Sequence, residues 1–308
     1  MKPDPRFLKQ PKRFWANVRT ISQEVGYTVT ADGYWPVPPG LTIPDNYKKH
    51  GGPRKNSVLA CDLNTMKRAY ENLELNPDHV IGTTGHPTKL GQLLCDYFQY
   101  RADILNTQVQ PNLMDAKAAK QVFLECKKRY PTRRPFAMNK QKGNKRAEAY
   151  LTCMVNMIIE SRVKEYGCDL DPHSLTTVTK GDQPLRTLSR RLDGAFPSVV
   201  NPIAVWEIKE YYYTATFGSR VADGVYETLV DGMELEELHQ GENINVKHYL
   251  FVDSHFTWWA CGKSYLCRIV DMLHMGYVDE VLFGREVLRE LPRIADEWVG
   301  LAAQRISK

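Results

Sequence analysis

An α/β sandwich preceded by a mainly helical region is the architecture this sequence predicts. Two apolar runs of strand length, residues 203–213 and 246–253, flank a helix-length amphipathic stretch. Strand, helix, strand at that spacing gives a parallel pair joined by a crossover. Helical periodicity dominates the first 130 residues.

The elements follow in order. Residues 7–25 predict a helix from Phe14, Val18, Ile21 and Val25, with Trp15 beside them. Prolines and glycines crowd residues 34–53 and break regular structure there, as a linker or an ordered loop. Asp62 caps a helix that starts beside it. Residues 88–101 and 114–129 predict two more helices. Residues 144–166 predict a long amphipathic one, with Leu151, Met154, Val155, Ile158 and Ile159 as its buried stripe. Threonine-rich residues 174–179, a Gly181-Asp-Gln-Pro184 turn and residues 185–196 predict a hairpin. Residues 203–213 form the central strand, 219–239 a helix and 246–253 the next strand. Helices at 263–275 and 285–305 close the sheet.

At 308 residues the chain suits one large or two smaller domains, and the element pattern places the boundary near 140, giving 1–140 and 141–308. No apolar run reaches bilayer length and no signal-type stretch follows Met1, so a cytoplasmic protein without membrane contact is expected. Seven scattered cysteines without Cys-X-X-Cys predict reduced thiols and argue against structural zinc. Cys261-Gly-Lys-Ser ends like a P-loop, but Thr257 stands where the first glycine is required.

Net charge is only +5, yet nine cations and no carboxylate lie between Lys127 and Arg146. Such a block faces a polyanion or is a solvated loop. As DNA contacts it offers Arg133, Arg134, Lys140, Lys142, Lys145 and Arg146; Arg190 and Arg191 beside Asp193, and Arg220 after the central strand, add to them.

The central strand carries the chemistry. Glu207 and Lys209, two residues apart, project from one face of it among Val205, Trp206 and Ile208. Charges in such surroundings are costly to desolvate without partners. Asp193 ends the preceding extended segment. Two carboxylates and a lysine meeting at strand ends suit a hard divalent cation, and an inert structural ion pair is the competing reading.

Asp193 followed by Glu207-Ile208-Lys209 resembles the PD-(D/E)XK nuclease superfamily, over about residues 145–255. Leu192 stands where the family motif has its proline, a permissive position. The resemblance implies a restriction-endonuclease-like α-β-β-β-α-β core, a mixed central sheet flanked by helices. It implies a Mg²⁺-dependent DNA endonuclease similar to type II restriction enzymes, using one or two Mg²⁺ ions with Mn²⁺ as a substitute. Asp193, Glu207 and the Ile208 carbonyl would hold the metal. Lys209 would orient or deprotonate the water or stabilise the phosphate. Glu148, on the helix before the sheet, would complete the site. Double-stranded DNA is the implied partner and a homodimer the implied assembly. A nonspecific or defence-system nuclease, or a non-catalytic DNA-binding protein of the same fold, are the alternatives; a small-molecule or RNA-processing enzyme is a further one, for which no cofactor fingerprint is present.

Overall fold

Side-chain caps start several helices in this computed structural model, which describes residues 1–83, 85–139, 147–163 and 165–306. Helix α1 (Lys12–Val25) buries Phe14, Trp15, Val18 and Ile21. A hairpin follows, β1 (Thr28–Tyr34) antiparallel to β2 (Arg54–Val58), so the Pro- and Gly-rich stretch is the long loop joining two paired strands. Asp62 accepts the Thr65 N–H at 2.7 Å and opens α2 (Leu63–Asn72). Thr88 does the same for α3 (Lys89–Ile104), which continues through a π-helical turn into the short α4 (Gln110–Asn112). Asp115 caps α5 (Ala116–Arg129).

The sheet-bearing part begins with α6 (Tyr150–Val163). A small hairpin, β3 (Thr177–Lys180) and β4 (Gln183–Thr187), comes next. Then follow β5 (Gly194–Phe196), β6 (Ala204–Glu210), α7 (Ser219–Glu242), β7 (Lys247–Asp253), α8 (Lys263–Met275), β8 (Glu280–Phe283) and α9 (Glu286–Ile306). The fold is mixed α/β. Its main sheet has the order β5-β6-β7-β8, with β5 antiparallel to β6 and the other neighbours parallel.

Alternation along β6 sorts its side chains between two layers. Trp206 and Ile208 pack with α5, α6 and α9, where Trp298 stacks on Trp206 at 5.3 Å. The opposite face meets α7 and α8: Leu250 and Val252 of β7 pack there with Val221, Val225 and Leu266. Glu207 and Lys209 project toward α7 on that side.

The predicted hairpin forms, but as a separate two-stranded sheet. A central strand must bury both faces, whereas β3 and β4 are largely polar and exposed; only Gly194, Ala195 and Phe196, all buried, join β6. A second correction concerns the helix expected from 144. It starts at Tyr150, because Ala149 donates to the Ala137 carbonyl and Asn139 to the Ala147 carbonyl, an extended bridge that carries Glu148 opposite Met138. Residues 144–146 lie outside the described residues.

The first hundred residues build their own core from α1, α2 and α3. It docks through a buried ion pair, Arg101 Nη1 of α3 to both Asp271 oxygens of α8 at 3.0 and 3.1 Å. All seven cysteines are free thiols. Among the described residues no helix is long and apolar enough to cross a membrane.

Candidate active site

The β5–β6 ladder ends at the pair Gly194–Trp206, which brings Asp193 level with Glu207 on the neighbouring strand. The Asp193 N–H donates to the Trp206 carbonyl at 3.1 Å. Its side chain then takes over where backbone pairing stops: Oδ2 accepts the Ile208 N–H at 2.8 Å. Gly194 makes this approach possible, since a Cβ there would fall 2.1 Å from the Trp206 ring. Residues facing each other across an antiparallel pair share a face, so Asp193, Glu207 and Lys209 converge.

Glu207 is fully enclosed. Its Oε1 receives Arg190 Nη1 at 2.8 Å, and Lys209 Nζ lies 2.7 Å from Oε2, an ion pair whose angle falls short of a well-aligned hydrogen bond. Two carboxylates of α7, one turn apart, complete the cluster. Asp231 Oδ2 accepts Arg190 Nη1 at 2.6 Å, and Glu227 Oε2 lies 3.2 Å from Lys209 and 3.4 Å from Arg190.

Burial alone would raise the Glu207 pKa, but Lys209 and Arg190 hold it below the usual carboxylate range. Lys209 is likewise kept protonated: desolvation opposes its charge, and Glu207 and Asp193 outweigh that. Protein packed around the Asp193 carboxyl, then the Glu207 charge beside it, push Asp193 up to about 6. Lys209 and the Ile208 N–H pull the other way, and Asp193 is exposed to water in a cleft, unlike the buried Glu207 and Lys209.

That cleft, about 310 Å³, runs from Asp193 and Ile208 toward Asn139, Thr152, Asn156 and Asp171. Glu210, on the other face of β6 from Glu207, also lines it and accepts the Thr152 N–H at 3.0 Å in the first turn of α6. Burial pushes Glu210 up to about 8, against the N–H groups of Thr152 and Leu151. A carboxylate at a helix N-terminus is favourably placed.

Among the described residues no three His, Cys, Asp or Glu side chains form a ready-made metal cage. Mg²⁺ asks for less, being commonly held by one or two carboxylates with water completing its shell. Asp193 and Glu207 meet that requirement. The Ile208 N–H faces Asp193, so its carbonyl points to the same open edge, because a strand residue directs both groups to one side. The donors are of the kind such an ion takes, but Glu207 stands behind the cleft lining with Arg190 on one oxygen and Lys209 on the other.

Other expected positions fare differently. Glu148 sits in the bridge before α6 rather than on the helix, outside the cleft lining. Arg190, expected on DNA, is committed to three carboxylates. Arg134 pairs with Glu160 at 2.9 Å, whereas Arg133 and Arg191 are exposed. Arg220 is exposed at the first turn of α7 and lines the cleft. Lys140, Lys142, Lys145 and Arg146 lie outside the described residues. Sequence reasoning missed Glu227 and Asp231, although their four-residue spacing on one helix face was visible, and Glu210, which directly follows the motif.

No curated protein and no solved structure matches the chain. Residues 1–108 match a family described as a domain of unknown function, DUF7690. Residues 114–298 match a second, also described as a domain of unknown function. That second match takes in the whole β5–β8 sheet, the site and more than half of the sequence, and the chain therefore belongs to the DUF7687 family.

Proposed function

We propose that the chain is a Mg²⁺-dependent DNA endonuclease of the PD-(D/E)XK kind, similar to type II restriction enzymes. One observation carries the reading: Asp193 and Glu207 face each other across two antiparallel strands, with Lys209 on the same face two residues on. The topology supports it. Helix α6 precedes β5 and β6, α7 crosses to the parallel β7, and Asp169 makes an isolated antiparallel bridge to Ala195 on the far side of β5.

A bound Mg²⁺ would polarise the phosphate and lower the pKa of its water. Asp193 and Glu207 would hold it, with the Ile208 carbonyl beside them. Lys209, kept protonated by its neighbours, would orient the attacking water and donate to charge developing on the phosphate oxygens. Arg220, which lines the cleft, and the exposed Arg191 and Arg133 would contact phosphates without reading sequence. Enzymes of this kind usually act as dimers so that both strands are cut, and a homodimer is the assembly proposed here.

Incubating the purified protein with plasmid DNA and Mg²⁺, then with EDTA, tests the reading. Discrete fragments that EDTA abolishes support a restriction-type enzyme, and a smear supports a nonspecific or defence-system nuclease. A second reading, a DNA-binding module without catalysis, has one observation in its favour: Glu207 is enclosed and each of its oxygens lies beside a cation. Gel retardation without cleavage under any divalent metal would select it.

A further inference from the structure

We propose that Arg190 is the cation a divalent metal displaces from Glu207, and that Asp231 on α7 is the residue placed to receive it. The inference deepens the nuclease reading and rests on it.

The charge balance raises the question. Four carboxylates (Asp193, Glu207, Glu227, Asp231) surround two cations, Arg190 and Lys209. With all four ionised, a divalent ion would close the deficit of two. Each Glu207 oxygen already has a cation beside it, so a metal that binds one of them takes the place of that cation.

Geometry says which. Lys209 is tied to Glu207 by the strand itself, two residues along β6, and its stem lies against Gly224 of α7. Arg190 comes from the bend after β4, outside any strand, and its side chain is 26% exposed. Its Nη1 is already shared between Glu207 and Asp231 at 2.8 and 2.6 Å. The deciding detail is Asp231 Oδ1, which is buried and has no hydrogen-bond partner among the described residues. A buried acceptor without a donor is costly. Releasing Glu207 would let Arg190 turn its fork onto both Asp231 oxygens, the bidentate geometry guanidinium and carboxylate favour. Asp231 is thus a positioning residue, acting through Arg190.

Mn²⁺ binding followed by electron paramagnetic resonance reads this without cleavage. Arg190→Met should tighten Mn²⁺ by about tenfold, and Asp231→Asn, which removes the receiving charge, should weaken it by about tenfold. The exchange requires these opposite signs, a merely structural pair would weaken binding in both variants, and since charge alone also gives opposite signs the resonance below is the deciding measurement. Because Arg190→Met leaves buried carboxylates unpaired, the unaltered protein supplies a second measurement. The Arg190 Nε–H resonance, identified by its loss in Arg190→Lys, should move when Mg²⁺ is added. An unmoved resonance, or an affinity in folded Arg190→Met no tighter than wild type, overturns the proposal. If Asp193→Asn and Glu207→Gln still abolish Mn²⁺ binding in that case, the nuclease reading stands without it. Unchanged binding in those two variants removes both.

Discussion

Asp193 accepts the Ile208 N–H through its side chain, at 2.8 Å, one residue beyond the last β5–β6 pair. The same carboxylate therefore finishes the strand pairing and faces Glu207. Structural and chemical roles overlap in one group, and a suitable substitution separates them.

Asp193→Asn keeps an oxygen for the Ile208 N–H but loses the charge. The melting temperature should stay within about 4 °C of wild type, while Mg²⁺-dependent plasmid cleavage falls by at least about a hundredfold. Asp193→Ala loses the hydrogen bond as well and should cost a further 1–2 kcal/mol or so in urea unfolding. Cleavage by Asp193→Asn at the wild-type rate would refute the metal assignment.

Lys209→Ala is a poorer probe than the motif suggests. Lys209 is buried against Glu207, and its removal leaves that enclosed carboxylate with Arg190 alone. A loss of about 3–5 kcal/mol is expected, mixing folding with chemistry. Gly224→Ala is cleaner. Its Cβ would lie 3.1 and 3.2 Å from Lys209 Cδ and Cε, enough to shift the ammonium by a few tenths of an ångström. Helix α7 itself gains by up to about 1 kcal/mol from alanine. Cleavage should fall about tenfold with stability unchanged or raised; parallel kinetic and thermal measurements check the split.

Arg101 and Asp271 couple the first hundred residues to α8. Tyr97 also donates to Asp271, at 2.5 Å, and the Arg101 guanidinium lies over Phe98 and Tyr27. Asp271→Ala strands a fully buried cation and should cost about 3–5 kcal/mol, whereas Arg101→Met with Asp271→Leu should recover most of it. Urea titration of the three variants tests the order.

Acid should loosen the N-terminal segment. His274, buried at the end of α8, accepts the Asp4 N–H on Nε2 at 3.1 Å, with Nδ1 2.7 Å from the Val270 carbonyl. Nε2 must stay unprotonated for that bond. Burial depresses its pKa below the ordinary 6.5, against the Val270 bond and the charges of Asp271 and Asp4. The unfolded chain then takes up its proton at higher pH than the folded one. Stability is full above 6.5 and falls as pH drops below it, with a slope of at most about 1.4 kcal/mol per unit. Melting curves between pH 7.5 and 5.5 should show the loss, and His274→Gln should start lower but flatten it. An equal slope in both would exclude His274.

Local patterning determined much of this protein. Periodicity and caps placed the start of α2 and both ends of α3, α5, α7, α8 and α9 to within a few residues, and the charged pair on an apolar strand singled out Glu207 and Lys209. Such features are legible because they depend on neighbours in the chain: 3.6 or 2 residues per repeat, one oxygen for one free N–H. Long-range pairing decided the rest. The β3–β4 hairpin stays out of the main sheet, β8 is a four-residue strand recognisable only beside β7, and Glu148 is extended because Met138 pairs with it. Asp231, Glu227 and Arg190 gather at Glu207 only because α7 crosses over β6, and no spacing within a single chain segment encodes that meeting. Burial supplied the final distinction: whether a charge is solvated or must find partners depends on what the fold lays over it.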